Sequence, residues 1–274
     1  MKAIHGKTVG LVLLGLAGLG WADEVQTYRE IKDWTPYFGG EVGAPYLAGS
    51  FEYSSVHLRQ NRQVDWYESD VQLSLPLKGA TPYVDVAYFQ RDGVGDYALT
   101  AGSYFRIGTD TLQVEAGAGL NVDFIYQFQS TVEYQYRLAN NLYGKVRARY
   151  MRYETAGDVW VGSPVGLIYY FGDSYVTADY DCSSTAGRGT AQWGSVKADF
   201  TVNPRWGLYT GAAVGERLFD MSELPASLEN GYILFAGVRF RLLRDAQLTT
   251  GVSYSEEQPT FIQRSIDVSL SIKL

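Results

Sequence analysis

The sequence predicts an all-β protein that folds as an up-and-down antiparallel barrel of about fourteen strands, with twelve as the alternative count. Three observations predict this fold: side chains that alternate between apolar and polar, turn signals at a regular spacing, and a C-terminal segment with an apolar residue at every second position. The chain also has 22 tyrosines and 30 glycines but only 8 prolines. Alternating sequence rich in aromatic residues and glycine is typical of barrels that cross a membrane with strands.

The alternation is clearest in two neighbouring segments in the middle of the chain. In the first, the even positions from 112 to 122 are apolar, and Glu115 and Asp123 are among the polar residues at odd positions. In the second, from 131 to 138, Glu133 and Gln135 alternate with valine, tyrosine and leucine. A period of two with one apolar face predicts strands and not helices.

Short turn signals divide these segments into hairpins. Successive turns are separated by 29, 32, 32, 32 and 40 residues, and a step near 32 fits two strands of about ten to thirteen residues with one tight turn and one longer loop. The last step is longer because residues 219–230 resemble an enlarged loop. The tight turns are expected at Lys78-Gly79, Gly108-Thr109-Asp110, Asn140-Asn141, Gly172-Asp173, Asn203-Pro204 and Arg244-Asp245.

The two ends of a membrane barrel differ in the length of their connections. Tight turns face the periplasm and longer loops face the outside. The longer loops are expected near Asn61, Gly93, Phe124, Gly157, Gly187, residues 219–230 and residues 257–260.

The last segment of the chain carries a predicted membrane-insertion signal. Outer-membrane barrels typically end in such a strand, which the barrel-insertion machinery recognises, although a leucine here replaces the usual terminal aromatic residue. A soluble β-sandwich would also alternate, but uniformly long strands in strict up-and-down hairpins favour the barrel. The residues of the signal are Ile266, Val268, Leu270, Ile272 and Leu274.

Closure of the barrel follows from the lipid solvent. An open sheet edge in lipid would leave backbone groups without hydrogen bonds. The first strand, near Tyr46–Leu58, is therefore expected to pair with the last strand, in residues 265–274.

The N-terminal part of the chain is predicted to lie outside the barrel. Residues 1–22 resemble a signal peptide, with Lys2 and Lys7 before a short apolar run and a cleavage site after Ala22. A membrane-anchor helix is the alternative, but the run is shorter than the roughly twenty residues that a span needs. Residues 23–45 would be a short periplasmic or plug segment, and residues 46–274 the barrel.

The chain carries a net negative charge, which limits the classes of partner that it can bind. Removing residues 1–22 lowers the basic count from 23 to 21 against 30 acidic residues, so the net charge changes from −7 to −9. This acidity argues against nucleic acid as a partner. The expected surroundings are outer-membrane lipid in a Gram-negative cell.

The parity of the strands predicts which side chains line the lumen. Residues 143–153 place Lys145, Arg147 and Arg149 on the inner side, and symmetric pairing about the preceding turn puts Gln135 opposite Lys145 and Glu133 opposite Arg147. These residues form either a selectivity lining for a passing solute or a polar network that fills the interior and fixes the register. Further predicted lumen residues are Glu115, Asp123, Lys197, Asp199, Arg239 and Arg241.

Aromatic residues near the predicted strand ends are interpreted as interface girdles. A sugar-binding platform is the alternative interpretation in a soluble protein. The residues concerned are Trp66, Tyr67, Tyr97, Tyr143, Trp160, Tyr175, Trp206 and Tyr232.

The sequence contains little that suggests catalysis. The one histidine after residue 22, His57, lies close to Ser54 and Ser55, but residues two or three apart on a strand do not form an obvious triad. Cys182 has the parity of a lipid-facing wall residue, and no cluster of histidine and cysteine suggests a metal site. We therefore expect a protein that is not an enzyme and that carries no metal or other cofactor.

Two stretches resemble a known family. The stretch GSPVGLIYYFGD, which starts at Gly162, and the stretch GAAVGERLFD, which starts at Gly211, resemble YaiO-type outer-membrane barrels, and the resemblance covers most of the mature chain. Members often carry helical repeats before the barrel, for which residues 23–45 are too short. The resemblance implies an outer-membrane location and a link to exopolysaccharide secretion, and it supplies no catalytic residues.

These observations favour a passive, porin-like channel or export conduit in the outer membrane, for a polysaccharide or a small solute. The polar inner face on so many strands supports this hypothesis, because barrels of about eight strands fill their interior with side chains. The alternatives are a structural or surface-interaction barrel with a closed lumen and an outer-membrane lipid-modifying enzyme.

Overall fold

In the computed structural model, which describes residues 45–58, 62–120, 122–154, 157–185, 189–216, 230–243, 245–257 and 261–274, fourteen antiparallel strands form one closed barrel. No helix in these residues is long and apolar enough to cross a membrane. The strands are β1 (Tyr46–Leu58), β2 (Arg62–Ser74), β3 (Ala80–Arg91), β4 (Val94–Ile107), β5 (Asp110–Leu120), β6 (Phe128–Ala139), β7 (Leu142–Tyr153), β8 (Gly157–Phe171), β9 (Ser174–Thr185), β10 (Gly189–Asn203), β11 (Trp206–Glu216), β12 (Asn230–Leu243), β13 (Ala246–Glu257) and β14 (Phe261–Lys273).

Each strand pairs with its neighbours in the chain, and the first strand pairs with the last. Tyr46 lies opposite Lys273 and Leu58 lies opposite Phe261, so the contact between β1 and β14 extends over the whole strand. The predicted count of fourteen strands and the predicted closure pair are both confirmed. Closure leaves no open sheet edge, which is what a lipid environment requires.

All six predicted tight turns fall between consecutive strands at one end of the barrel, which we name the turn end. The turn end also holds both ends of the barrel sequence, Tyr46 and Lys273. Gly108 and Gly172 have φ angles of 67° and 63° there. These angles lie in the left-handed region that glycine adopts without a steric penalty, so the two-residue turns depend on glycine.

The opposite end, the loop end, departs from the prediction at Gly93. Asp92 and Gly93 have φ angles of 48° and 84° and connect β3 directly to β4, which is the conformation of a type I′ hairpin. The expected longer loop near Gly93 is therefore wrong: this connection is as tight as those of the turn end. The signal peptide, residues 23–44 and the predicted loop at 219–229 lie outside the described residues.

The two faces of the wall separate as the parity predicts. Val132 on the outer face is 48% exposed, whereas the neighbouring Glu133 is 2% exposed. The five residues of the predicted insertion signal, Ile266 to Leu274 at even positions, also lie exposed on the outer face. An exposed band of large apolar residues around a closed barrel is the surface that lipid covers.

The predicted aromatic girdles are only partly correct. Tyr67, Tyr97, Trp160, Trp206 and Tyr232 are exposed on the outer face near strand ends. At the loop end Trp160 packs on Tyr150, with ring centroids 4.9 Å apart. At the turn end Trp206 packs on Phe240, at 4.5 Å.

Three of the predicted girdle residues point inward instead. Trp66, Tyr143 and Tyr175 are buried inside the barrel, because each has the same parity as the polar inner residues of its own strand. Their place near a strand end suggested a girdle, but the alternation decides which face a side chain occupies.

Inward-facing aromatic rings cover glycines on the strand opposite. Tyr83 lies across from Gly102, and Tyr209 lies across from Gly237. A Cβ atom added to either glycine would overlap the opposite ring. These glycines therefore provide the space in which the rings lie flat against the wall.

Candidate functional site in the barrel lumen

The inner wall holds most of the polar residues that the sequence assigned to the lumen. Arg241 is half-buried near the turn end, and Asp123 is exposed. All the others are buried on the inner face: Glu115, Glu133, Gln135, Lys145, Arg147, Arg149, Lys197, Asp199 and Arg239.

The predicted register between β6 and β7 agrees with the structure. Gln135 lies opposite Lys145, and Glu133 lies opposite Arg147. Next along the ladder, the Arg149 guanidinium donates a hydrogen bond of 2.8 Å from Nε to the Thr131 hydroxyl. The inner faces of these two strands therefore form one polar surface.

The ion pairs of this surface reach across β8 to β9. Lys145 Nζ lies 3.0 Å from Asp179 Oδ1, and Arg147 Nη2 lies 2.9 Å from Asp181 Oδ1. Both pairs are almost fully buried. Buried charges need such partners because burial removes their hydration.

Small residues on β8 make this crossing sterically allowed. Gly166 lies between Lys145 and Asp179, and an added Cβ would overlap both of those side chains. Ser163 lies opposite Arg147 and accepts a 3.1 Å hydrogen bond from its Nε. A larger residue on this face of β8 would separate the bases of β7 from the acids of β9.

A similar arrangement recurs on the next three strands of the wall, β10 to β12. Arg239 of β12 binds Asp199 of β10 through a buried ion pair. Gly207 of β11 lies directly opposite Arg239, and a Cβ added there would overlap the Arg239 guanidinium, which reaches Asp199 along the diagonal. In both places a long basic side chain crosses a glycine to reach an aspartate two strands away.

A second polar cluster links β3, β5 and β6. Tyr83 donates its hydroxyl proton to Glu115, and Gln113 Nε2 donates to the Tyr83 oxygen at 3.1 Å. Gln129 Nε2 donates to the other Glu115 oxygen at 3.3 Å. Tyr83 of β3 and Gln129 of β6 therefore hold the two oxygens of the Glu115 carboxylate.

The predicted lumen position of Asp123 is wrong. β5 ends at Leu120, and Asp123 lies in the connection to β6 with its side chain exposed. The alternation continues past the end of the strand as far as Val122, so the sequence pattern alone conceals where β5 ends.

The connection from Val122 to Gln127, which we name the inner loop, is anchored by the buried carboxylate of Asp96. Its oxygens accept backbone N–H bonds of 3.1 Å from Asp123, 2.9 Å from Phe124 and 3.0 Å from Ile125. Three donors on one carboxylate make a strong, charge-assisted anchor. Asp96 is not among the predicted lumen residues, although its parity on β4 is that of an inward residue.

The inner loop folds against the inside of the wall. Ile125 is buried and packs with Ala87 and Ala98, and Phe89 packs against the same cluster. The Tyr126 hydroxyl lies 3.4 Å from Thr100 Oγ1. The inner loop therefore narrows the lumen along β3 to β5.

An apolar cluster extends along the inside of the barrel. It includes Trp66, Met151 and Trp193 towards the loop end, and Tyr143 and Tyr175 towards the turn end. The Arg91 guanidinium lies 4.7 Å from the ring centroid of Trp66 and 4.4 Å from that of Phe124 in the inner loop. Aromatic and apolar side chains therefore lie on the inner wall towards both ends of the barrel, on either side of the charged pairs.

Groups that could carry chemistry are separated in space. His57 faces outward and is exposed, whereas Ser54 on the same strand faces inward and is buried. Cys182 is half-buried on the outward side of β9. No group of three or more histidine, cysteine or acidic residues within the described ranges could hold a metal ion.

Neither a protein-family model nor a curated protein sequence matches the chain. The resemblance to YaiO-type barrels therefore stays a prediction. Solved structures do match. Their sequence identity to this chain is low, so the similarity concerns the fold alone.

One match is a structure described as a bacterial polysaccharide outer membrane secretin, with a TM-score of 0.59 and 7% identity over 85% of this chain and 99% of that chain. A FadL homologue of Pseudomonas aeruginosa has a TM-score of 0.58 and 8% identity over 84% and 90% of the two chains. The Pseudomonas putida toluene transporter TodX has a TM-score of 0.57 and 10% identity over 87% and 91%.

The similarity to these structures concerns the closed antiparallel barrel. In this chain an apolar band covers the outer face, and the sheet has no unpaired edge. A barrel surrounded by lipid requires both features. The chain is a closed fourteen-stranded antiparallel β-barrel with an apolar outer band, and its fold is similar to that of these outer-membrane proteins.

Proposed function

We propose that the barrel is an outer-membrane conduit for hydrophilic solutes. The observation that carries this proposal is the inner wall, where polar and charged side chains alternate with lipid-facing residues on strand after strand. Barrels of about eight strands fill their interior with side chains, and the width grows with strand number. A barrel of fourteen strands encloses a wider interior.

The chemistry of the wall bears on the class of solute. Similar folds occur in structures described as a monoaromatic hydrocarbon channel, a toluene transporter and a bacterial polysaccharide outer membrane secretin. The buried ion pairs Lys145–Asp179, Arg147–Asp181 and Arg239–Asp199 give this lumen hydrogen-bonding groups along its middle, which suit a hydroxyl-rich solute better than a hydrocarbon. We propose an exopolysaccharide as such a solute, for which Trp66 and Trp193 offer aromatic surface.

The inner loop is proposed as the gate of this conduit. Its backbone is held by Asp96 and its side chains pack against the wall, so the loop occupies part of the lumen there. Loss of the anchor would free the loop without changing the strands. Asp96→Ala is therefore expected to conduct more than the wild type.

Planar-bilayer recordings on purified wild type and Asp96→Ala test the proposal, with uptake of neutral oligosaccharides into liposomes as a second readout. The proposal expects measurable current and sugar uptake, both larger for the variant. If neither protein conducts a current and neither takes up oligosaccharides, the conduit proposal is rejected.

A barrel with a closed lumen is the second candidate. It is favoured by the low accessibility of the inner side chains, with Glu133 at 2% and Asp181 at 0%. Such a protein would act through its surface, and it would stay impermeable even after Asp96 is replaced.

A further inference from the structure

A cavity lies at the turn end of the barrel and spans β4 to β7. Its volume is about 320 Å³, which falls at the lower end of the range of about 300–1,000 Å³ for small-molecule sites. Arg106 of β4 and Arg137 of β6 contribute positive charge to its lining. Both have the parity of inward-facing residues and both are exposed, so a solute at the mouth of the lumen can reach them.

Uncharged acceptors of the nearby turns hold the two guanidinium groups in place. Arg106 Nε donates to the carbonyl of Gly108, and Arg137 Nε donates to the carbonyl of Ala139, each at 3.2 Å. Arg137 Nη2 also donates to Asn140 Oδ1 at 2.9 Å. Within the described ranges neither guanidinium forms an ion pair. The chain therefore positions two positive charges at the cavity without neutralising them.

The acidic residue of the lining, Asp110, is bound by other donors. The Tyr134 hydroxyl donates to its Oδ2 at 2.5 Å. The Thr109 hydroxyl and the Arg137 backbone N–H donate to its Oδ1 at 3.1 and 3.2 Å. Asp110 and Tyr134 share the parity of the outer face. Although Asp110 borders the cavity, its carboxylate is directed to the outer side of the wall, while the two arginines have inward parity.

The turn end as a whole is basic, although the chain has a net charge of −7. Within its turns and the last three positions of its strands, the described acidic residues are Asp110, Asp173 and Asp245. A mouth with an excess of one sign of charge raises the local concentration of solutes of the opposite sign. The described basic residues in the same positions are Lys78, Arg106, Arg137, Arg205, Arg241 and Lys273.

The neutral groups of the lining suit a sugar ring. Thr109, Thr111 and Asn140 offer hydroxyl and amide groups, and Tyr143 adds an aromatic ring. A guanidinium binds a carboxylate through two parallel hydrogen bonds, and an aromatic ring offers a flat apolar surface for the C–H face of a sugar. The lining thus combines groups for a carboxylate with groups for a hydroxyl-bearing ring.

We propose that this cavity binds an acidic sugar residue, with the sugar carboxylate on Arg106 and Arg137, so that the conduit selects acidic saccharides. In an outer-membrane barrel the tight turns face the periplasm, and a saccharide leaving the periplasm would meet this cavity first. The inference rests on the proposed function and deepens it, because it names the class of saccharide that the conduit would recognise.

Binding is tested on the purified folded barrel in detergent micelles, without any need for conduction. Ligand-observed NMR titrations at one ionic strength give the dissociation constants of glucuronate, glucose and acetate. Glucose has the sugar ring without the carboxylate, and acetate has the carboxylate without the ring. Glucuronate is expected to bind about tenfold more tightly than either, because it combines charge-assisted hydrogen bonds with contacts to the ring.

Matched variants locate the effect. Arg106→Gln and Arg137→Gln are each expected to weaken glucuronate binding about tenfold and to leave glucose binding unchanged. Arg205→Gln removes the same charge at the same end, but Arg205 is exposed in a turn and does not border the cavity. Because salt screens a distant charge, this control is expected to bind glucuronate within about twofold of the wild type. All three arginines are exposed, so the variants are expected to fold, and the gel mobility of unheated samples checks this.

Equal dissociation constants for glucuronate and glucose, or for glucuronate and acetate, would overturn the proposal. So would wild-type affinity in both cavity variants, or a loss in Arg205→Gln as large as theirs. A barrel that binds glucuronate through both arginines but passes neither current nor oligosaccharide would reject the conduit and keep the site. A barrel that conducts but binds glucuronate no better than glucose would keep the conduit and reject the site.

Discussion

The ion pair between Arg147 and Asp181 is expected to contribute strongly to the stability of the barrel. The two side chains are 2% and 0% exposed, and their atoms Nη2 and Oδ1 are 2.9 Å apart. Replacing Asp181 by alanine leaves the arginine charge buried with one acidic partner fewer. Breaking a buried pair in this way costs about 3–5 kcal/mol, so the free energy of unfolding is expected to fall by about that amount.

The chain provides a matched control that starts from the same strand, β7. Arg152 of β7 binds Asp158 of β8 at 2.8 Å, but these side chains are 55% and 42% exposed. Water and salt screen such a pair, and its contribution is small. Asp158→Ala should therefore leave the free energy of unfolding close to that of the wild type.

Equilibrium unfolding in urea, with the protein folded in lipid vesicles and followed by tryptophan fluorescence, measures both variants. A double variant, Arg147→Met with Asp181→Leu, adds a further test, because removing both charges should cost less than removing one. If Asp181→Ala is as stable as Asp158→Ala, the ion pair does not hold the inner wall together and the reasoning fails.

Three further changes test other parts of the structure. Asp96→Ala is expected to speed hydrogen exchange of the inner loop by about tenfold or more, because a charge-assisted anchor is lost; unchanged exchange would show that apolar packing alone holds the loop. Gly237→Ala should lower the free energy of unfolding by about 1–3 kcal/mol through overlap with the ring opposite it, whereas Gly194→Ala, whose Cβ would lie 3.8 Å from the nearest atom, should behave like the wild type. Val86→Arg, in the middle of the outer face of β3, should cost about 2–4 kcal/mol in vesicles, and a cost near zero would place this face in water.

The strand architecture was accessible from the sequence because a period of two fixes the face of every side chain. The same rule, applied around a two-residue turn, gave the pairing of Glu133 with Arg147 and of Gln135 with Lys145. The prediction of Trp66 as a girdle residue was wrong because it relied on the position near a strand end, whereas the parity of Trp66 places it inside the barrel.

The contacts between non-adjacent strands were not accessible in this way. Arg147 binds Asp181 because Ser163 on the intervening strand is small and because β8 changes its register with β9 between Gly162 and Val165. Alternation does not report a bulge or the direction of a long side chain. The inward fold of the inner loop depends likewise on Asp96, a residue 27 positions before the first amide that it binds.

A barrel in the membrane requires that alternate residues of each strand face lipid. A fluorophore attached to single cysteines at positions 84, 85, 86 and 87 of β3, in a chain where Cys182 is replaced by serine, tests this claim directly. Brominated lipid is expected to quench the probes at Val84 and Val86, which are exposed on the outer face, and to spare those at Asp85 and Ala87. Equal quenching at all four positions, or quenching only by a water-soluble agent, would contradict the barrel in the membrane.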